Sequence, residues 1–270
     1  MQIAVIVTTY NRLDALRTVL EGYAAQSDDQ FEVIVADDGS TEETGRFVQQ
    51  LAERSKVPIR HVWHEDQGFR VAAIRNRAVG ATRAEYIILT DGDCVPSIDF
   101  VCQHRQLAER GRFLSGSRVL LSQRLTQRVI EECLPIYRWR WTEWLGLRLS
   151  GDINRLLPVF SLPDGLFRKS DSRGWEGVMT CNLSVWRDDI ITVNGFDERY
   201  QGWGREDSDF VIRLYRAGVG YKSARLAAPV FHLWHPENDK SRLANNQRRL
   251  DEVLQSARVR AEVGFDQCRS

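Results

Sequence analysis

The sequence predicts an α/β domain with a mostly parallel central sheet flanked by helices. Over residues 1–121, short apolar runs rich in valine and isoleucine alternate with segments of helical periodicity. The runs are continuously apolar, which is typical of strands covered by helices on both faces. A polar cluster follows each run, at the end where parallel sheets bind ligands. These observations also predict a ligand site at one edge of the sheet.

The elements follow one another in a regular order. Strands are predicted at 2–8, 31–36, 59–63 and 86–90, and helices at 13–25, 41–54 and 71–82. The composition changes over 123–169, and a helix at 207–217, a strand at 226–232 and a charged helix at 245–263 follow. Strands and helices that alternate in this way predict βαβ units.

The bulk composition excludes several classes of protein. Hydrophobic residues make up 43% of the 270 residues and charged residues 27%, as is usual for a globular protein. The charges of the 37 basic and 37 acidic residues cancel, so the formal net charge is zero. No overall positive field therefore favours nucleic acid, and we expect no nucleic-acid partner.

The cysteines and the apolar runs bear on the compartment. The five cysteines are odd in number and scattered, which argues against a disulfide framework or a zinc cluster and fits a reducing cytosol. The N-terminal run is followed by polar residues and is interpreted as a strand, not as a signal peptide. The sequence contains no stretch of about 18 apolar residues, so no membrane span is predicted. The expected location is the cytoplasm.

Two acidic pairs follow predicted strands. Asp91 and Asp93 flank a glycine after the strand at 86–90, an arrangement that suits a divalent cation bridging a diphosphate. The alternative is a solvated turn. Asp37 and Asp38 follow the strand at 31–36, where one aspartate suffices to cap the next helix. The second could accept hydrogen bonds from a uracil ring and a ribose hydroxyl.

Basic residues accompany these carboxylates. Arg70 and Arg75 lie before and within the helix at 71–82, where they are candidate partners of a diphosphate or ribose, although such arginines are usually solvated. The segment 8–12 contains no glycine, so it is not a Rossmann dinucleotide fingerprint.

Two further segments carry candidate residues. Gly202, Gly204 and Trp203 precede acidic residues in the first turn of the helix at 207–217, where the helix dipole alone favours them. His232 and His235 follow the last predicted strand. A histidine there is more often a hydrogen-bonded core residue, but near an acidic pair it can supply a nitrogen ligand to Mn²⁺.

The segment 123–169 contains Trp139, Trp141 and Trp144 among arginines and is interpreted as a helical insertion. One interpretation is that its tryptophans pack into the core. The other is a lid, an acceptor platform or a contact with a membrane surface.

Six motifs together resemble a known family. In this order and spacing, TTYNR, VADDGST, DQGFR with RN, LTDGDC, GWGREDSDF and FHLWHP resemble family 2 glycosyltransferases of the GT-A fold. They are similar to bacterial chondroitin-polymerase catalytic domains and to the C-terminal motif of β-1,4-galactosyltransferases. The resemblance covers residues 2–121 and 175–236. It implies a single GT-A domain with a nucleotide-binding half (1–121), a helical insertion (122–174), an acceptor-binding half (175–240) and a C-terminal helix (241–270).

The resemblance implies a role for each matching residue. It implies nucleotide-sugar binding by Thr9, Tyr10, Arg12, Asp37, Asp38, Gln67, Arg70, Arg75 and Asp91. It implies sugar or acceptor binding by Trp203, Gly204 and Glu206, metal binding by Asp93 and His232, and a general base at Asp207. Arg205 departs from the glycine that the family often has, which leaves the loop shape and the sugar preference open.

The implied activity is inverting transfer of a hexose or N-acetylhexosamine from a UDP-linked donor, with Mn²⁺ or Mg²⁺ as cofactor. The implied acceptor is a saccharide or lipid-linked saccharide in bacterial surface polysaccharide or lipopolysaccharide synthesis. A peripheral contact with the cytoplasmic face of the inner membrane is part of this expectation. Two alternatives remain: a haloacid-dehalogenase-type phosphatase with Asp91 as nucleophile, and a catalytically silent saccharide-binding module.

Overall fold

A central sheet of eight strands organises the protein. The computed structural model describes residues 1–170 and 174–266. The strands β1 (Ile3–Thr9), β2 (Phe31–Asp37), β3 (Ile59–Trp63) and β4 (Tyr86–Asp91) lie parallel in the order β3-β2-β1-β4. The helices α1 (Leu13–Ala24), α2 (Glu42–Ala52) and α3 (Val71–Gly80) connect them. This half confirms the predicted βαβ units.

The rest of the chain continues the same sheet and adds a second one. The remaining strands are β5 (Cys94–Pro96), β6 (Arg112–Ser115), β7 (Arg118–Leu120), β8 (Lys169–Ser170), β9 (Asn182–Trp186), β10 (Gly220–Ser223) and β11 (Val230–His232). The smaller sheet has the order β5-β11-β7. Beyond β4 the large sheet continues β9-β6-β10-β8, and β9 pairs antiparallel with β4 and β6. Four of the seven pairings in the large sheet are parallel, as predicted.

Six more helices complete the described fold. They are α4 (Phe100–Leu107), α5 (Gln123–Glu131), α6 (Trp141–Leu149), α7 (Arg187–Thr192), α8 (Glu206–Arg216) and α9 (Leu243–Gln255). Short 3₁₀ turns lie at Ile136–Arg138, Leu157–Val159 and Leu166–Arg168. No helix in 1–170 or 174–266 is long and apolar enough to span a membrane.

The large sheet is buried on both faces because successive side chains point to opposite sides. Ile3, Val5 and Val7 of β1 pack in one apolar cluster with α1, whereas Ala4 and Ile6 belong to the other, with residues of α3 and α8. Both clusters exclude water from β1, which is why its sequence is continuously apolar.

Two predicted elements are shorter in the structure than in the sequence analysis. The strand predicted at 226–232 begins only at Val230, because Pro229 has no N–H to donate to a ladder. The helix predicted at 245–263 ends at Gln255. Beyond it, the amides of Ala261 and Phe265 donate to the carbonyls of Val193 and Asn194, which replaces further helical bonds.

The tryptophans of the insertion divide between core and surface. Trp144 is fully buried and stacks on Phe231 with ring centroids 4.1 Å apart, and Trp139 packs edge-on against Trp144. Trp141 is 51% exposed. Core packing therefore accounts for Trp144 and leaves Trp141 to be explained. Part of the predicted insertion (171–173) and of the tail (267–270, with Cys268) lies outside the described residues.

Candidate active site

The strand ends bring the predicted motifs to one edge of the sheet. In the parallel register, Thr8 lies beside Asp91 and Thr9 beside Asp37. The amide of Gly92 donates to the carbonyl of Thr8 at 2.7 Å, and a Cβ on Gly92 would lie 3.0 Å from the Cβ and Oγ1 of Thr9. Glycine at this turn therefore lets the Asp91–Asp93 segment approach β1 closely.

Arg75 lies at the centre of the site. This buried residue of α3 donates from Nε to Thr8 Oγ1 (3.4 Å), from Nη2 to Asp91 Oδ1 (3.2 Å) and from Nη1 to Glu206 Oε1 (3.2 Å). Its guanidinium carbon also lies 5.4 Å from the ring centroid of Phe196. Protein groups thus engage all three nitrogens, so Arg75 ties the end of β4 to the start of α8. Its contact with a nucleotide stays a prediction.

The first turn of α8 carries the acidic pair. Arg205, with φ of 81°, and Gly204, with φ of 100°, turn the chain into the helix. Glu206 is buried, and its Oε2 has no hydrogen-bond partner among the described residues. An unpaired buried carboxylate oxygen is costly, so a ligand hydroxyl would be a favourable partner.

Asp207, in the first turn of α8, has a raised pKa. Burial, and then the like charge of Glu206, raise its pKa to about 7, while Arg75 and the Ser208 amide oppose this shift. One carboxylate oxygen accepts a hydrogen bond from that amide at 2.8 Å. A carboxylate with such a pKa suits a general base.

Asp93 faces two imidazoles. The smaller sheet pairs His232 with Cys94, which places His232 Nε2 at 3.6 Å from Asp93 Oδ1. His235 Nε2 lies 3.3 Å from Asp93 Oδ2. His235 is therefore the nearer of the two histidines, although the sequence favoured His232. Both side chains are brought to the acidic turn.

The residues around Asp93 fit a divalent cation. Asp93, Cys94 and His232 each offer a ligand atom within 4.8 Å of the others. Burial, aided by the charge of Arg118, lowers the pKa of His232 to about 4, so its imidazole is neutral and able to ligate. A carboxylate with a neutral imidazole suits Mn²⁺, and a thiol at the same place would favour softer metals such as Zn²⁺.

Asp37 serves the turn into α2. It is fully buried, its Oδ1 accepts from the Ser40 amide at 2.8 Å, and its Oδ2 lies 2.9 Å from His61 Nε2. These two partners satisfy the carboxylate without a ligand, but Asp37 does not cap α2, because Ser40 precedes the N-cap residue Thr41 and the helix has no side-chain capping hydrogen bond.

Asp38 has partners of its own. Its Oδ1 lies 2.5 Å from His64 Nε2, and its Oδ2 accepts from the Arg70 amide at 2.8 Å. Burial raises its pKa, against the opposing effect of His64 and Arg70. Asp38 thus holds the loops at 37–41 and 64–70 together, and the contact of either aspartate with a base stays a prediction.

Other predicted residues lie at the rim. Tyr10 is exposed and donates to Asp66 Oδ2 at 2.8 Å, and Gln67 is exposed. The ring of Trp203 is 38% exposed, with the Lys240 ammonium 5.9 Å from its centroid. These side chains are accessible to a ligand.

Arg12 and Thr9 complete the predicted set. Arg12 pairs with Asp14 at 3.2 Å and lines a cavity of about 420 Å³ together with Trp234 and His235. The buried Oγ1 of Thr9 has no partner in the described part of the chain.

Comparison with known proteins identifies the family. Residues 4–193 match the model of glycosyl transferase family 2, which is more than half of the chain. Residues 169–236 match the model described as the N-terminal domain of galactosyltransferase. The chain belongs to glycosyl transferase family 2.

Relatives of this family 2 chain include curated proteins and solved structures. It is 25% identical over 255 residues to chondroitin synthase of Escherichia coli, covering 90% of this chain and 36% of that protein. It matches S. aureus TarS in complex with UDP-GlcNAc with a TM-score of 0.62 and 16% identity, covering 99% of this chain and 69% of the other. It matches the mannosyltransferase PcManGT of Pyrobaculum calidifontis, in complex with GDP-Man and Mn²⁺, with a TM-score of 0.62 and 17% identity, covering 94% and 64%.

These neighbours confirm the GT-A fold that the motifs implied. The family 2 chain spans 26% to 52% of the length of four curated relatives that it matches. The fold and family are therefore shared over nearly all of this chain, whereas those relatives extend well beyond it.

Several site residues of this family 2 chain carry no sequence signal. Arg118 lies near enough to affect the pKa of Asp91 and His232, yet its segment has no motif. Cys181 lies 87 positions after Cys94 in the sequence, but the two thiols and an Asp91 oxygen lie within 4.8 Å of one another. Only the three-dimensional fold reveals these neighbours.

Proposed function

We propose that this family 2 protein transfers a hexose or N-acetylhexosamine from a UDP-linked donor to a saccharide hydroxyl, with inversion at the anomeric carbon. The observation that carries the proposal is the pKa of about 7 of Asp207, in a site that also holds the Asp91–Asp93 turn. A base and a diphosphate-binding turn in one site are what a single displacement requires. The UDP-GlcNAc complex of S. aureus TarS supports the choice of donor.

Three residues of the chain have separate roles in the proposed reaction. Asp207 accepts the proton of the acceptor hydroxyl, which becomes the nucleophile at the anomeric carbon. Glu206 keeps one oxygen on Arg75 and offers Oε2 to a substrate hydroxyl. Arg75 fixes Glu206 relative to Asp91, so the acceptor and donor sides keep their spacing. No protein nucleophile is needed.

Asp93 and His232 are the residues that would hold Mn²⁺ or Mg²⁺, with His235 beside them. When bound, such a cation stabilises the negative charge that develops on the leaving diphosphate. Support for a divalent cation comes from the donor atoms of this cluster and from the Mn²⁺ complex of PcManGT.

The proposed setting is bacterial surface polysaccharide or lipopolysaccharide synthesis, with a saccharide or lipid-linked saccharide as acceptor. The similarity to chondroitin synthase of Escherichia coli supports a saccharide acceptor. Neither alternative function gains support: no comparison points to a phosphatase, and the base and metal candidates of a transferase are all present.

The decisive experiment is a turnover screen of nucleotide-sugars with Mn²⁺ or Mg²⁺. Asp207→Asn keeps the shape of the side chain but not its basicity, so transfer should fall by about 10²–10⁴ while donor affinity changes little. Asp188→Asn, in the first turn of α7, is the matched control and should keep full activity. Undiminished transfer by Asp207→Asn would place the base elsewhere.

Asp93→Ala tests the metal assignment separately. Without this carboxylate, Mn²⁺-dependent turnover should be abolished and UDP binding weakened. UDP affinity with and without Mn²⁺ can be measured by calorimetry on both forms. Metal-dependent activity that survives in Asp93→Ala would refute the assignment.

A further inference from the structure

The insertion exposes an unusual share of large apolar side chains. Of the seventeen that stand exposed in the described residues, eight lie between 141 and 167. They are Trp141, Leu145, Leu149, Leu157, Phe160, Leu162, Leu166 and Phe167. Scattered exposed leucines need no explanation, but a concentration in one segment indicates an interaction surface.

Part of this set forms one continuous surface. Trp141, Leu145 and Leu149 lie four residues apart on α6, which places them along one side of the helix. The ring of Trp141 also packs 6.3 Å from that of Phe160. We call these four residues the apolar face. Trp144, which points about 100° away from Leu145 around α6, is buried in the core, so the helix is anchored while this face stays exposed.

Positive charge borders the apolar face. Four exposed arginines of this segment form no ion pair within residues 1–170 and 174–266: Arg138, Arg140, Arg148 and Arg155. Between residues 138 and 167, two of the three acidic side chains pair with cations outside this range, Asp152 with Arg124 and Asp164 with Lys222. The third, Glu143, accepts from the Arg140 amide, and its charge partly offsets that of Arg140. Four arginines against this one carboxylate leave the range with an excess of positive charge on a chain whose formal charge is zero.

We propose that the apolar face docks on an anionic lipid surface, with the four arginines on the headgroups. Tryptophan, phenylalanine and leucine bordered by arginine are the composition of helices that lie in a membrane interface. The nine residues of α6 are too few to cross a bilayer, so the contact is peripheral. The arginines favour anionic over neutral lipid, since each basic side chain near such a surface adds attraction. This inference does not depend on the proposed reaction.

Vesicle co-sedimentation of the purified chain tests the proposal. The vesicles contain phosphatidylglycerol and phosphatidylcholine in equal parts, or phosphatidylcholine alone. We expect binding to the anionic vesicles that weakens as salt is raised. The double variant Leu145→Glu, Leu149→Glu should partition at least about tenfold more weakly, because two apolar side chains no longer enter the interface. The triple reversal of Arg138, Arg140 and Arg148 to glutamate should have an effect of similar size.

Two control variants test whether a loss of vesicle binding is specific to the apolar face and its arginines. Leu254→Glu changes an apolar residue of α9 that is 42% exposed, and Arg83→Glu reverses an exposed arginine outside the segment. Both should bind vesicles like the unaltered chain, and circular dichroism checks that every variant is folded. Failure of the unaltered chain to bind anionic vesicles would overturn the proposal, as would equal binding by the double variant. Light scattering tests whether the chain forms a dimer. If the unaltered chain dimerises but does not bind vesicles, and the double variant does not dimerise, the apolar face contacts a second copy of the chain and the lipid proposal is wrong.

Discussion

Replacing Glu206 by glutamine should move the acidic limb of the pH–rate profile to lower pH. As the proposed base, Asp207 must be ionised to accept a proton, so kcat/KM should rise with pH through the pKa of this group, which is about 7. The charge of Glu206 is the second cause of this raised pKa, after burial. Glutamine keeps the size of the side chain and removes that charge, so Asp207 should ionise at a lower pH.

The size of the shift follows from Coulomb's law. Two carboxylates about 6–12 Å apart, at an effective dielectric constant of about 20, repel by roughly 1.4–2.8 kcal/mol, which is about one to two pKa units. The limb should therefore fall to between about pH 5 and 6. Arg75 acts in the same direction, because its charge is no longer shared with Glu206 and stabilises the Asp207 carboxylate more strongly.

The assay is initial-rate transfer from the donor that the turnover screen identifies, measured between pH 5 and 9 at fixed Mn²⁺. Its control is Asp188→Asn, whose profile should match that of the unaltered protein. A weaker substrate affinity in Glu206→Gln would change the height of the profile without moving its limb. An unmoved limb, or one at higher pH, would show that Glu206 does not act on the titrating group and would refute the reasoning.

Three further predictions concern stability and metal binding. Trp144→Ala should lower the free energy of unfolding in urea by about 3–5 kcal/mol because it empties a core site, whereas Trp141→Ala should change it by no more than about 0.5 kcal/mol. Arg75→Met should cost about 3 kcal/mol in the same measurement, since the buried carboxylate of Glu206 and the partly exposed carboxylate of Asp91 lose their partner, and Arg75→Lys should recover part of the loss. His232→Ala should weaken Mn²⁺ binding in calorimetry at least about tenfold, and an unchanged affinity would transfer the role to His235.

The first half of the fold could be predicted from the sequence because its signals are local. The strands β1, β2 and β4 are largely buried apolar runs, each followed by a polar turn, so the edge that carries Asp37 and Asp91 is defined by pattern alone. The resemblance to the family then implied the role of general base for Asp207, which stays a prediction. The helical periodicity of the sequence also predicted that α8 begins after Gly202 and Gly204.

The smaller sheet could not be predicted in the same way. Its strands β5, β7 and β11 have three residues each, too few to show a period. Their pairing brings His232 and His235 to Asp93. The resemblance implied a metal role for His232 and none for His235, whereas the structure brings His235 nearer to Asp93 than His232.

Arg75 shows how a residue predicted to bind the nucleotide can have a structural role that the sequence does not reveal. A basic residue beside acidic motifs suggested a phosphate partner, but its acceptors come from three segments far apart in the chain. In the structure, Asp91, Glu206 and Asp207 draw on this guanidinium, so negative charge exceeds positive charge among these four groups. That excess would attract a divalent cation to the Asp91–Asp93 turn, and after burial the charge of Glu206 is the second cause of the raised pKa of Asp207. The proposed metal site and the proposed base therefore share an electrostatic origin.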